Sequence, residues 1–130
     1  MDFLVNAGVA GLAPCGSTGE SPYLSRIESK RAMETVIDQV NGRVPVIAGT
    51  GAAGIRDAIQ LTLDAQDIGA NAAPVITPFF FKLTNDEVYA HYGALPSRVD
   101  IPVILYNVPS SPVTQSRLHW LSGLLPNSLA

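Results

Sequence analysis

Val9-Ala10-Gly11-Leu12-Ala13-Pro14-Cys15-Gly16-Ser17-Thr18-Gly19-Glu20 is an apolar run that ends in a turn of glycines and hydroxyls. Val9 to Ala13 reads as a short buried strand. Ser25 opens a helix, because Glu28 three residues later completes a capping box. Between strand and helix, Gly16-Ser17-Thr18-Gly19-Glu20 forms a natural anion-binding turn. Its glycines let the backbone approach a ligand closely. Its hydroxyls and neighbouring N–H groups can hold a carboxylate or a phosphate. Taken alone the turn serves equally well as a helix entry, since it is neither a P-loop nor a dinucleotide fingerprint.

Outward from that turn the same alternation repeats. Before it, residues 2 to 7 read as the tail of a helix stopped by Gly8. After it, Ile27, Met33, Val36, Ile37 and Val40 give the helix an apolar stripe, and Asn41-Gly42 ends it. Val44 to Ala48 is a second strand, followed by the turn Gly49-Thr50-Gly51-Ala52. A helix from about Ile55 to Ile68 carries Ile55, Ile59 and Leu63 at four-residue spacing, with Gly69 as its stop. Ala72 to Ile76 is a third strand, although Pro74 removes a ladder hydrogen bond there, as Pro14 does beside the first. Thr77 to Lys82 is a loop, and Thr84 with Glu87 caps a helix lined by Val88, Tyr92 and Leu95. Val103 to Tyr106 is a fourth strand, Asn107 to Ser110 a turn, and Thr114 to Leu124 a last helix. Strands alternating with helices imply a parallel sheet with right-handed crossovers. In such folds ligands bind at the carboxyl ends of the strands, so Ser17, Thr18, Thr50, Thr77 and Tyr106 are expected at one rim.

Composition narrows the function classes. The net charge of −3 offers no basic footprint for nucleic acid or an anionic membrane. No apolar run is long enough to span a bilayer, and the first residues lack the pattern of a signal peptide. The lone Cys15 suits a reducing compartment, so a soluble cytoplasmic protein is expected. Cys15 is expected to be a small buried residue, because His91 and His119 fall in helices away from it. No spacing among the three suggests a metal site, and no cofactor is expected. His91 is expected to be solvated, as are Lys30 and Lys82, while Phe79-Phe80-Phe81 could wall a pocket or pack in a core.

Four motifs fall in register. They are Gly16-Ser17-Thr18-Gly19-Glu20, Pro45-Val46-Ile47-Ala48-Gly49-Thr50-Gly51, Thr77-Pro78-Phe79-Phe80 and Tyr106-Asn107-Val108-Pro109. Together they resemble the dihydrodipicolinate synthase / N-acetylneuraminate lyase family over essentially the whole chain. The resemblance implies a (β/α)8 barrel of Schiff-base lyases and aldolases, usually homotetrameric, acting on pyruvate or related 2-oxo acids. It implies substrate binding by Gly16, Ser17, Thr18 and Gly49, with Ser17 and Thr18 gripping the carboxylate. It gives catalytic roles to Thr18 and Tyr106, the tyrosine shuttling protons during imine formation and C–C bond chemistry.

Three departures qualify the resemblance. No lysine matches the family's imine-forming lysine, which lies in a later G-[IL]-K motif. Phe80 stands where the synthase branch has tyrosine, and Ser111 where it has arginine. The last two favour a 2-oxo (sugar) acid lyase, aldolase or dehydratase over a true synthase. Residues 1–130 are expected to form one partial barrel domain, about strands two to five, without the first strand and the last three. Alone it is expected to be marginally stable or to associate, and to lack turnover. The rival readings are a small flavodoxin-like module holding a phosphate or nucleotide at Gly16–Gly19, and a non-catalytic scaffold relative.

Overall fold

The computed structural model describes residues 1–81 and 83–106. Its helices are α1 (Asp2–Asn6), α2 (Arg26–Val40), α3 (Ile55–Asp67) and α4 (Asn85–Gly93), and its strands are β1 (Ala73–Ile76) and β2 (Val103–Tyr106). The turn expected at Asn107 to Ser110, the helix expected from Thr114, and Lys82, Ser111 and His119 lie outside the described residues.

Both expected capping boxes form. The Glu28 carboxylate accepts the Ser25 N–H at 2.8 Å, while the Ser25 hydroxyl accepts the Glu28 N–H at 3.3 Å. Thr84 and Glu87 repeat this at 2.7 and 3.3 Å. The Ser25 and Thr84 hydroxyls also donate to the Glu28 and Glu87 carboxylates at 2.6 and 2.8 Å. The bonds donated to them hold both carboxyls below the usual range, chiefly the Ser25 hydroxyl for Glu28 and the Thr84 N–H for Glu87. α2 ends where Asn41 and Gly42 turn left-handed, with φ of +47° and +72°. Its buried face is Ser29, Met33, Val36 and Val40. Ile27, expected on the apolar stripe, is instead 80% exposed. Ser29, two positions on, takes the buried place one turn before Met33.

The four expected strands lie side by side in chain order and parallel, but only β1 and β2 form a continuous ladder. The first two runs are reduced to bridges at Leu12↔Val46 and Ile47↔Ala72. Proline explains the breaks. The Leu12 N–H donates to Pro45 at 2.9 Å, Ile47 to Leu12 at 2.8 Å and Gly49 to Pro14 at 2.9 Å. The missing rung would run from residue 14 to the Ile47 carbonyl, and Pro14 has no N–H to give. Ala48 and Thr50 likewise donate to Ala72 and Pro74 at 2.9 and 3.1 Å, while the return rung from residue 74 is lost. A strand residue points its N–H and C=O to the same side. Pro74 therefore weakens only its pairing with the second run, and Ala73 and Val75 leave β1–β2 whole.

The helices cover one face of this sheet. Ala73, Val75, Val88, Tyr92, Leu95, Val99, Ile101 and Val103 bury together there, and the Tyr92 hydroxyl donates to the Val75 carbonyl at 3.1 Å. Cys15, Met33, Ala48 and Ala65 form a second cluster between α2, α3 and the sheet. Arg26 at the start of α2 grips Asp64 of α3 through two bonds of 2.6 and 2.9 Å.

Candidate active site

Side chains alternate along a strand, so residues that skip the helical face must meet on the other. Val46, Ala48 and Thr50 are buried beneath the helices. Ile47, Gly49 and Gly51 face the opposite way, as do Pro74, Ile76 and Tyr106 from the next two strands. Above them lies a hollow of about 630 Å³. Gly16, Ser17 and Thr18 close its other side, followed by Glu20 to Tyr23. Gly16, Ser17, Thr18, Gly49 and Tyr106, the five residues to which the resemblance gives binding or catalytic roles, therefore line one space.

The hydroxyl pair sits on a short 3₁₀ turn, Ser17–Gly19. Gly19 and Glu20 donate their N–H groups back to Gly16 and Ser17 at 3.0 and 3.2 Å. The N–H groups of Ser17 and Thr18 have no backbone acceptor among the described residues, so they stand ready for a ligand oxygen. Tyr106 ends β2 opposite Ile76, and its ring is 45% exposed on the hollow side. Among the described residues, the only charged side chain in the lining is Glu20. An anion here would be held by neutral donors, hydroxyls and backbone N–H groups.

Gly49 lines the hollow, but its lack of a side chain has a packing cause. A β-carbon there would lie 2.2 Å from the Cys15 carbonyl oxygen. Gly51 is equally constrained, with Ile76 2.4 Å from the same point. These glycines let the loops cross tightly over the sheet.

Two expectations are corrected. Thr50 does not face the rim. It is fully buried, and its hydroxyl lies 2.8 Å from that of Thr62 on α3. It falls between Gly49 and Gly51, so strand alternation turns it to the helices. His91 is buried, at 8% exposure, rather than solvated. Burial lowers its pKa, and its Nε2 has no hydrogen-bond partner among the described residues. The three phenylalanines also part company. Phe79 lines the hollow, while Phe80 and Phe81 stack edge to face outside it, each 71% exposed. Cys15 is buried as expected, and burial raises its thiol pKa. Pro22, Tyr23 and Ile76 line the hollow without having been singled out, because no local pattern marks which loop residues lean over a sheet.

Parallel strands with helices on one face and a ligand-sized hollow at their loop side define a piece of a (β/α)8 barrel with its candidate site at the strand ends. The dihydrodipicolinate synthetase family model matches residues 1–123. The chain belongs to that family, a family of aldolase-type lyases. It is 46% identical over 110 residues to the 4-hydroxy-tetrahydrodipicolinate synthase of Methanocaldococcus jannaschii, covering 85% of this chain and 38% of the relative. It is 41% identical over 129 residues to the enzyme of that name from Rhodospirillum centenum, covering 98% and 44%. The chain thus spans about two fifths of the length of the curated relatives it matches. The crystal structure of dihydrodipicolinate synthase from Aquifex aeolicus superimposes with a TM-score of 0.89 at 34% identity, covering 99% of this chain and 46% of that one. YagE, a prophage protein of the dihydrodipicolinic acid synthase family from E. coli K12 solved in complex with pyruvate, gives 0.81 at 38% identity, covering 85% and 37%. The barrel match sets aside a flavodoxin-like module. The relatives' names weigh against the expectation of a lyase other than the synthase.

Proposed function

We propose that this chain supplies the keto-acid end of a Schiff-base lyase site, taking pyruvate or a related 2-oxo acid. Ser17 and Thr18 hold the carboxylate with their hydroxyls and N–H groups, Gly16 and Gly49 leave room for it, and Tyr106 exchanges protons with the reacting carbons. The single observation behind this is that residues from the first and fourth strands line the same hollow. A pyruvate-bound structure among the relatives supports the ligand class. The imine itself needs an amine, and among the described residues none lines the hollow.

On the second substrate two observations pull apart. The names of the similar relatives favour the synthase reaction. Phe80 has no hydroxyl to give a relay, and it stands outside the hollow of its own chain. We propose the synthase-type condensation, because the relatives' names concern whole sequences and Phe80 is one position.

The test is a pyruvate titration of the 15N-labelled chain. The amides of residues 16–19 should shift and saturate. Ser17→Ala and Thr18→Ala should each weaken binding about 5-fold or more, the loss of one hydrogen bond to a charged group. Saturation that leaves those amides unmoved overturns the reading.

A further inference from the structure

The hydroxyl turn has to be aimed as well as built. Among the described residues, its backbone hydrogen bonds stay within 16–24, with Tyr23 and Leu24 donating to Glu20 and Ser21 at 2.9 and 3.2 Å. Gly19 donates to Gly16, Glu20 to Ser17 and, at 3.5 Å, Ser21 to Gly16. None reaches the sheet or a long helix. The last rung upstream is the Gly49 N–H donating to the Pro14 carbonyl at 2.9 Å. Only Cys15 stands between that rung and the turn.

Cys15 has φ of +57°, in the left-handed region where a β-carbon is disfavoured. Glycine would take this conformation freely, so a side chain here needs a reason. The thiol reaches down into the cluster of Met33, Ala48 and Ala65, and donates to the Ser29 carbonyl of α2 at 3.7 Å. On the other side Gly49 lets the sheet approach so closely that a β-carbon would meet the Cys15 carbonyl. The residue is held from both directions, its side chain by the helices and its carbonyl by the sheet.

We infer that Cys15 is the positioning residue of the hydroxyl turn: its anchored left-handed backbone sets the direction in which Ser17 and Thr18 face the hollow. The inference rests on the keto-acid reading only for the ligand used to probe it. It assigns the thiol no covalent role. Cys15 lines the hollow's floor, and burial raises the pKa of its thiol.

Two readouts test this, at a temperature where thermal melts find every variant folded. One is the 15N relaxation order parameter of the Gly16–Gly19 amides, and the other is the pyruvate Kd. Cys15→Gly removes the anchor and frees the backbone. It should lower those order parameters and weaken pyruvate about 5-fold or more, as lost preorganisation does. Cys15→Ser keeps the β-carbon and a donor for Ser29, and should restore both to within about twofold. If Cys15→Gly does not fold, Cys15→Ala decides, with the same changes expected in smaller degree. Unchanged loop order in the folded Gly or Ala variant overturns the inference, whatever happens to the melting temperature. Absence of pyruvate binding in the parent chain overturns the keto-acid reading instead, and the relaxation data still decide for Cys15.

Discussion

Gly16 and Gly49 carry the same expectation from sequence, yet their surroundings separate them. A β-carbon at Gly16 would find its nearest atom 4.0 Å away, and its φ of −80° suits any residue. At Gly49 it would collide with backbone. Gly49→Ala should therefore cost about 2–3 kcal/mol by overpacking, and Gly16→Ala should stay within about 0.5 kcal/mol. Denaturant melts of both variants check this, and equal effects would refute it. His91 offers a pH signature. Its pKa is lowered by burial, so below the unfolded value of about 6.5 the unfolded chain binds a proton that the native state refuses. Stability should fall as pH drops through that value and on towards the lowered native pKa. His91→Leu should flatten the slope there and leave stability at neutral pH within about 1 kcal/mol, because Nε2 has no partner to lose among the described residues. A slope unchanged in the variant would assign it to other groups. Both residues mark a limit of sequence reading. Gly49 was legible as a turn glycine near a ligand, but not as the residue that admits the Cys15 carbonyl. A histidine on a short helix gives no local sign of which neighbours will close over it.

Elements were legible where local chemistry decides them. The two capping boxes and the left-handed stops need only residues within a few positions, and both boxes form as expected. The parallel order followed from alternation, and even the suspicion against Pro14 and Pro74 was well placed: each removes one rung and reduces a strand to bridges. What failed was the choice of face. Ile27 was expected on the buried stripe of α2 because it is apolar, whereas Ser29 packs there and Ile27 is exposed. Thr50 was expected at the rim because it is polar, whereas Thr62 gives its hydroxyl a buried partner. The Arg26–Asp64 tie between α2 and α3 was equally invisible, since its two residues lie in different units. Arg26's hydrogen bond and charge hold the carboxyl of Asp64 below its usual range, against the effect of burial. Asp64 is 5% exposed and Arg26 53%, so the pair is half in solvent and worth less than a fully buried one. Asp64→Ala should cost about 1–3 kcal/mol at neutral pH. That contribution is present above the unfolded pKa of about 3.9 and is lost as pH falls through the lower native value. Parent and variant should therefore converge in acid. Urea melts at neutral pH and near pH 3 measure it, and a constant gap would disprove the ionic origin.

At the scale of the whole molecule, one face of the sheet is packed by helices and the other carries the hollow, so the candidate site and the packed core occupy opposite sides. This division decides what the described lysine can do. Lys30 lies on α2, on the packed side, with its Nζ 3.9 Å from the Asp64 carboxylate. It does not line the hollow where the hydroxyl turn and Tyr106 meet. An imine forms only where amine and carbonyl carbon come within bonding reach, and here the sheet and α2 separate them. Pyruvate held by Ser17 and Thr18 should not condense with Lys30. Incubating the chain with pyruvate and borohydride, followed by peptide mass analysis, should leave Lys30 unmodified even at saturating pyruvate. The relevant control is a small aldehyde, which should reach Lys30 through solvent because its side chain is 39% exposed. Labelling by the aldehyde but not by pyruvate would agree with a keto acid held on the far side of the sheet. Stoichiometric pyruvate trapping on Lys30 would put the carbonyl on the helical face, and the hollow would lose its claim to be the site of chemistry.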